Sequence, residues 1–276
     1  MVVSLRYFRV YPEKDLGVLL NYRKFGLVFS LLLGLNLLIP RAVFAGSGFQ
    51  LSPNLVELEP VGAGVSKNFS VTSTGDEPVA VQVRMVKREI MPDGKEVRFP
   101  EENDFLVYPP QMVLEPDERQ LIKVVWVGDT ALIKELAYRA IVEQVPVNLT
   151  PVKVENSGGI PISITIISTY VASVYVKPPG ATAKIVLEGV SSQKSKEGTD
   201  QLVLNFANQG TAHELLSSNL KVTVTASSGQ KVTLAGEQLK DVIAQNILPG
   251  NKRQFILPWP KELPVGPVTA TFDTTS

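Results

Sequence analysis

The sequence predicts an all-β protein built from two immunoglobulin-like β-sandwiches, and three observations support this. Short runs with alternating apolar and polar residues recur after Ala45, and turn residues separate them at intervals of about 8–12 residues. The chain has 276 residues, which is enough for two domains of ordinary size. It contains no cysteine, so packed cores must stabilise it without disulfides or thiolate metal sites.

The first 45 residues are predicted to be an export signal. Arg23 and Lys24 precede the apolar run Phe25–Ile39, and Val43–Ala45 provides a small-residue cleavage site. The apolar run is shorter than the ~20 residues that a membrane-spanning helix needs. An uncleaved membrane anchor remains the alternative. Cleavage would start the mature protein near Gly46, in an oxidising space outside the cytoplasm.

The charge of the remaining chain argues against one class of function. Residues 1–45 contain six basic and two acidic groups, and the rest contains 21 basic and 25 acidic groups, a net charge of −4. A nucleic-acid-binding protein would instead present a basic face. We therefore expect no nucleic-acid partner.

The first predicted sandwich follows the signal and reads as a series of strands. The alternating runs are Phe49–Glu59, Asn68–Ser73, Val79–Ile90, Asp104–Tyr108, Gln120–Val127 and Ala137–Val145. Pro92-Asp93-Gly94 is predicted to be a turn, because glycine adopts positive φ without steric cost. A loop rich in Pro, Asn and Gly spans Val147–Gly159 and leads to the last strand of this half.

That last strand, Gly159–Tyr175, is the most distinctive stretch of the chain. It places isoleucine at every second position, at Ile160, Ile162, Ile164 and Ile166. A period of two puts the four side chains on one face of a strand. Pro161 has no N–H to donate, so it favours a strand with a free edge. Two interpretations are open: an ordinary core strand, or an edge strand offered to another protein.

The second predicted sandwich begins after Lys177–Gly180, a stiff Pro-Pro-Gly connector. We expect residues 1–45 to be the signal, 46–178 the first domain and 179–276 the second. The predicted strands of the second domain are Lys184–Val190, Gln201–Ala207, Asn219–Ala226, Gln230–Leu234, Arg253–Leu257 and Val268–Phe272. Ser227–Gly229 is expected to close a hairpin, and Leu239–Gln245 fits a helical turn or a strand.

The sequence offers little support for an enzyme. His213 is the only histidine, and neither a G-x-S-x-G motif nor a cysteine nucleophile accompanies it. A structural role for His213 at a turn between strands is the favoured interpretation. The sequence also lacks a glycine-rich phosphate loop between a strand and a helix. We therefore expect no enzyme activity, no cofactor, no metal and no small-molecule substrate.

Seven short motifs follow one another along the chain. They are Phe105-Leu-Val-Tyr-Pro-Pro110, Leu114-Glu-Pro-Asp-Glu-Arg-Gln120, Ile122-Lys-Val-Val-Trp126, Glu135-Leu-Ala-Tyr-Arg139, Glu143-Gln-Val-Pro146, Asn208-x-Gly210-x-x-His213, and Leu248-Pro-Gly250 with Arg253. Their order and spacing, over Phe49–Phe272, resemble the periplasmic chaperones of the chaperone–usher pilus pathway, and the second-half motifs resemble its divergent members.

The resemblance implies a boomerang of two immunoglobulin-like domains with a cleft between them. It implies that Ile160, Ile162, Ile164 and Ile166 enter a groove in a subunit that lacks its own last strand, a known form of strand addition. The implied partners are pilus, fimbrial or coat-like subunits and an outer-membrane usher, and the implied location is the periplasm. A structural or adhesive surface protein built from such sandwiches is the alternative.

The chain departs from the family in its cleft. Well-studied members carry an arginine in the first strand and a lysine in the last strand, which hold the terminal carboxylate of the client. The matching stretches here, Leu51–Leu58 and Thr169–Val176, contain neither residue. The nearest basic residues in sequence are Lys123, Arg139 and Lys177. The sequence does not identify which group anchors the client.

Overall fold

A computed structural model describes residues 48–101, 103–146 and 167–274. The first half of the described chain forms strands in two facing sheets. The strands are β1 (Phe49–Ser52), β2 (Leu55–Leu58), β3 (Ser66–Ser73), β4 (Val79–Ile90), β5 (Glu96–Pro100), β6 (Phe105–Tyr108), β7 (Gln111–Leu114), β8 (Arg119–Trp126), β9 (Leu136–Gln144) and β10 (Thr169–Val176).

The two sheets of the first half enclose one apolar core, as the alternation predicts. One sheet has the order β1-β3-β8-β6, and the other has the order β2-β10-β9-β4-β5, with β7 paired to β4. Phe69, Ile122 and Tyr138 are fully buried between them. Alternate residues of each strand face this core because side chains in a strand point to opposite faces in turn.

Two predictions for the first half need correction. The expected strand Phe49–Glu59 is divided: β1 pairs with β3 in one sheet, and β2 pairs with β10 in the other. Pro53 lies at the division, where a residue without an N–H cannot continue a ladder. β5 and β7 were not predicted, because both are short and half-exposed, and their alternation is weak.

The second half forms another sandwich with its own core. Its strands are β11 (Ile185–Lys194), β12 (Asp200–Asn208), β13 (Glu214–Leu215), β14 (Lys221–Ala226), β15 (Lys231–Ala235), β16 (Asn246–Ile247), β17 (Lys252–Pro258) and β18 (Val268–Asp273). The sheet β11-β12-β17 faces the sheet β15-β14-β18, and β13 pairs with β16. Leu204, Phe206 and Val222 are fully buried in the core.

The predicted turns are present and explain two glycines. Gly94 has φ 91° between β4 and β5, and Gly229 has φ 86° in the β14–β15 hairpin. Both angles lie where glycine is favoured over other residues. Leu239–Gln245, for which the sequence fitted either a helical turn or a strand, contains no strand. It begins at the last residue of the 3₁₀ helix Gly236–Leu239 and continues as turns to Ala244. No helix among the described residues is long and apolar enough to span a membrane.

The two sandwiches meet through a small buried cluster. Ile90, Ala137 and Tyr175 from the first sandwich pack with Leu248 from the second. The ring of His213 stacks on Tyr175, with centroids 3.8 Å apart and planes 7° from parallel. These contacts fix one wall of a cleft between the sandwiches.

A buried carboxylate reinforces this junction. The side chain of Glu135 is fully buried, and its Oε1 atom lies 2.7 Å from His213 Nδ1. The backbone N–H of His213 donates to the same oxygen at 3.2 Å, and the backbone N–H of Glu135 donates to the Thr211 carbonyl at 2.8 Å. His213 therefore has the structural role that its position in a turn predicted, and the structure adds Glu135 and Tyr175 as its partners.

Candidate functional site

The first half of β10 forms an open edge. Thr169–Ala172 pair with β9 on one side, whereas pairing with β2 begins only at Ser173 and continues to Val176. Among the described residues, no strand lies on the other side of Thr169–Ala172. The N–H and C=O groups that point to this uncovered side are a template for another strand.

The side chains of β10 alternate between two environments. Ala172, Val174 and Val176 lie in the core of the first sandwich, and the ring of Tyr170 packs 4.9 Å from Phe49 at the end of that core. Ser173 and Tyr175 take the opposite face and line the cleft between the sandwiches. Even-numbered residues of this strand therefore face the sandwich core, and odd-numbered residues face outward.

The predicted subunit-binding residues Ile160, Ile162, Ile164 and Ile166 lie outside the described residues, as does the loop Val147–Gly159. Their role stays a prediction. The described part of the same predicted strand lies in β10, whose Ser173 and Tyr175 line the cleft.

The cleft beside Tyr175 has a volume of about 340 Å³ and contains three arginines from three strands. Arg88 comes from β4, Arg139 from β9 and Arg253 from β17. The register of the sheet places Arg139 opposite Ser173, and Arg139 Nη1 donates to Ser173 Oγ at 2.5 Å. Leu55 of β2 pairs with Ser173 of β10, and both residues line this cleft.

Glu96 is the carboxylate that lines this cleft, and arginines surround it. Its oxygens lie 2.6 Å from Arg139 Nη2, 2.6 Å from Arg98 Nε and 3.0 Å from Arg88 Nε. Burial opposes ionisation of Glu96, but hydrogen bonds from Arg139 and Arg98 and the charges of Arg139 and Arg88 outweigh it and lower its pKa to about 2. Glu96 is therefore ionised at neutral pH and neutralises only part of the positive charge.

Arg253 is a buried cation that has no carboxylate within ion-pair distance among the described residues. Its guanidinium donates to the Asn246 carbonyl at 3.0 Å and to Gln245 Oε1 at 3.1 Å, while its Nε has no partner. Burial lowers the pKa of Arg253; the charge of Arg88 adds to this, while Asp93 opposes it. A buried charge with neutral partners favours the approach of an anion.

Arg139, Lys177 and Lys123, the basic candidates for the anchor from the sequence, have different positions in the fold. Arg139 lines the arginine-containing cleft. Lys177 lines a separate hollow with Glu57 and Glu59. Lys123 lies on the exposed side of β8, in the opposite sheet. Arg88 and Arg253 were not predicted, because only strand pairing and the docking of the second sandwich bring them to Arg139.

Comparison with known proteins gives the same picture as the fold. Residues 50–167 match the family model described as "Pili and flagellar-assembly chaperone, PapD N-terminal domain". No curated protein sequence matches the chain at a significant level.

Solved structures of similar architecture cover most of the chain. A chaperone–tip adhesin complex of CFA/I fimbriae biogenesis and the class 5 fimbriae chaperone CfaA each align with a TM-score of 0.50, at 17% and 15% identity, over 83% of this chain and all of theirs. The CsuC–CsuE chaperone–tip adhesion subunit pre-assembly complex of Acinetobacter baumannii aligns with a TM-score of 0.51 at 15% identity, over 78% of this chain and 89% of that one.

At these identities the structural likeness supports the two-sandwich fold, and the match to the family model identifies the first sandwich. The predicted fold class is therefore confirmed as two β-sandwiches. Residues 50–167, which include most of the first sandwich, match the PapD N-terminal domain of pili and flagellar-assembly chaperones, and the low identities to the solved chaperone structures are consistent with a divergent member of that family.

Proposed function

We propose that the protein is a periplasmic chaperone that binds fimbrial subunits by donating a strand and delivers them to an outer-membrane usher. The observation that carries the proposal is the open edge of β10 at Thr169–Ala172, directly after the isoleucine-rich stretch. A subunit that lacks one strand would pair with this edge through backbone hydrogen bonds and receive alternate side chains in its groove.

The proposal assigns Ile160, Ile162, Ile164 and Ile166 to the pockets of the subunit groove. They share the even numbering of Ala172 and Val174, which face the core of the first sandwich. A strand that continues β10 without a bulge would extend this apolar row into the client. Each isoleucine that becomes fully buried would contribute roughly 1.5–3 kcal/mol.

The proposal also assigns an anchor for the terminal carboxylate of the client. Arg139 and Arg253 take the place of the arginine and lysine that β2 and β10 lack. Arg139 lies beside Ser173 at the point where the edge of β10 enters the cleft, and Arg253 has a guanidinium without an anionic partner among the described residues. A carboxylate there would compensate the excess positive charge through charge-assisted hydrogen bonds.

The first test replaces one isoleucine in the proposed donor stretch. Ile162→Asp should abolish or strongly reduce co-purification of the subunit, because an unpaired charge would enter an apolar pocket. Ser163→Asp is the matched control, since it adds the same charge on the other face. Both variants should melt like the wild type by circular dichroism. Full subunit binding by Ile162→Asp would overturn the donor-strand proposal, and loss of its own fold would indicate a core strand instead.

A second arm of the same assay tests the anchor. Subunit with an amidated C terminus should bind the wild-type protein more weakly than subunit with a free carboxylate. Arg253→Met should remove most of this difference, because the two changes disrupt the same contact. An amidation effect of equal size in Arg253→Met would exclude Arg253 as the anchor.

Periplasmic location is part of the proposal and depends on the N-terminal 45 residues, which lie outside the described residues. Cleavage after Ala45 would release the chaperone into the periplasm, where the partners implied by the family are assembled. N-terminal sequencing of exported protein should therefore begin near Gly46.

A further inference from the structure

The turn between β4 and β5 packs so closely against Arg253 that position 94 has no room for a side chain. Gly94 lies in this turn with φ 91° and lines the cleft together with Arg253. A Cβ atom at position 94 would lie 2.6 Å from Arg253 Nη2 and 3.3 Å from Arg253 Cζ. The first distance is shorter than a van der Waals contact, so a side chain here would require the turn or the guanidinium to move.

Hydrogen bonds fix the backbone of this turn. The N–H of Met91 donates to the Lys95 carbonyl at 2.9 Å, and the N–H of Gly94 donates to the Met91 carbonyl at 2.8 Å. The second sandwich holds the turn as well, because the Gln254 N–H donates to the Pro92 carbonyl at 2.7 Å. An added methyl group would therefore displace the guanidinium more easily than it would displace the turn.

A displaced guanidinium has another place to go. Gly94, Gln245 and Arg253 line both the cleft and a neighbouring hollow of about 390 Å³. Asp93 and Asp241 also line this hollow. In the present position the guanidinium has only neutral acceptors, one of which is Gln245 Oε1 at 3.1 Å. Movement towards the two carboxylates would gain an ion pair and take the positive charge away from the cleft.

We propose that Gly94 is a positioning residue for Arg253: because position 94 has no side chain, the guanidinium stays in the cleft and can hold the terminal carboxylate of the client. This inference rests on the proposed function, in which Arg253 is part of the carboxylate anchor. Gly94 acts through Arg253. The first sandwich thus sets the position of a binding group that belongs to the second sandwich.

The test measures how strongly each variant distinguishes a subunit with a free C-terminal carboxylate from the same subunit with an amidated C terminus. The wild type should bind the amidated subunit roughly 10–100-fold more weakly, because hydrogen bonds to a charged group are lost. Gly94→Ala should reduce this ratio to that of Arg253→Met. The double variant should show the same ratio as either single variant, because both changes remove the same contact.

Gly229→Ala is the matched control. Gly229 has φ 86° in the β14–β15 hairpin, and a Cβ atom there would meet no described atom within 4 Å. This variant carries similar backbone strain without the contact, so it should keep the wild-type ratio. Gly94→Asn repeats the test with less strain, because asparagine tolerates positive φ better than alanine. Circular dichroism melting establishes that each variant is folded.

The outcomes separate this inference from the anchor on which it rests. If Gly94→Ala and Gly94→Asn keep the wild-type ratio while Arg253→Met reduces it, the anchor stands and the role of Gly94 is wrong. An equal reduction in Gly229→Ala would also overturn that role, since backbone strain alone would then cause the effect. A wild-type ratio near one would overturn the carboxylate anchor itself, and the inference with it.

Discussion

Asn208 shows how one side chain organises the corner of the second sandwich that faces the first. The residue is buried and uses its whole hydrogen-bonding capacity. Its Nδ2 donates to the carbonyls of Ala212 at 2.7 Å and Ile247 at 2.9 Å, and its Oδ1 accepts from the N–H groups of Gly210 and Lys184. This network shapes the turn that carries His213 to the junction.

Asn208→Ala should lower the free energy of unfolding of the second sandwich by about 2–4 kcal/mol, because four backbone groups lose their partner and two of the lost bonds are buried. Asn205→Ala, in the same strand but with a single bond to Gln254, should cost less than about 1 kcal/mol. Urea denaturation followed by the fluorescence of Trp259, which lies in that core, measures both. Equal effects of the two substitutions would contradict the role assigned to Asn208.

At the scale of elements, the hairpin of β4 and β5 supplies the charged side of the cleft. Its register places Arg88 opposite Arg98, two residues before Glu96 pairs with Ile90. Two arginines directly opposite each other repel unless an acidic side chain lies nearby. Glu96 forms ion pairs with Arg88, Arg98 and Arg139. The hairpin is therefore stabilised by a network that depends on one ionised carboxylate.

Removing that carboxylate should have a pH-dependent effect. Because the folded-state pKa of Glu96 is lowered from 4.5 to about 2, its contribution is fully present above about pH 4.5 and is lost as the pH falls towards 2. Glu96→Gln should destabilise the protein by about 1–2 kcal/mol at pH 7, a value reduced for solvent screening, and the difference should shrink between pH 4.5 and 2. Chemical denaturation at several pH values tests this, with the exposed Glu89→Gln as control. A difference that stays constant to pH 2 would contradict it.

At the scale of the whole molecule, the junction between the sandwiches determines whether the arginines of the cleft can act together. Arg88 and Arg139 belong to the first sandwich and Arg253 to the second. The hydroxyl of Tyr175 connects the two parts, since it accepts from Arg88 Nη1 at 3.2 Å and from Asn246 Nδ2 at 2.7 Å. The Glu135–His213 contact joins residues 78 positions apart in sequence.

A double-mutant cycle on Glu135→Ala and His213→Ala measures this contact. Each single variant should destabilise the docked arrangement, and the coupling energy should be about 1–3 kcal/mol, because the carboxylate is fully buried. Differential scanning calorimetry should show the unfolding transitions of the two sandwiches separating in both single variants. A coupling energy near zero would mean that the Glu135–His213 contact does not stabilise the docked sandwiches and that the other junction contacts hold them together.

The sequence by itself determined the features that depend on neighbours along the chain. Alternation identified β4, β8, β9, β12 and β17 within one or two residues, and the glycines at 94 and 229 marked the β4–β5 and β14–β15 turns. The isoleucines of the predicted donor strand were also chosen from alternation, and that choice stays a prediction. These inferences succeed because the period of side-chain direction is a local property of an extended backbone.

Only the tertiary structure decided which strands are neighbours. Alternation could not divide Phe49–Glu59 between two sheets, because β1 and β2 differ in their partners and not in their pattern. It could not bring Arg88, Arg139 and Arg253 into one cleft, because β4, β9 and β17 meet there through pairing and docking over long separations in sequence. The edge at Thr169–Ala172, which no strand of the described chain covers, also depends on which strands are neighbours, so alternation could not predict it.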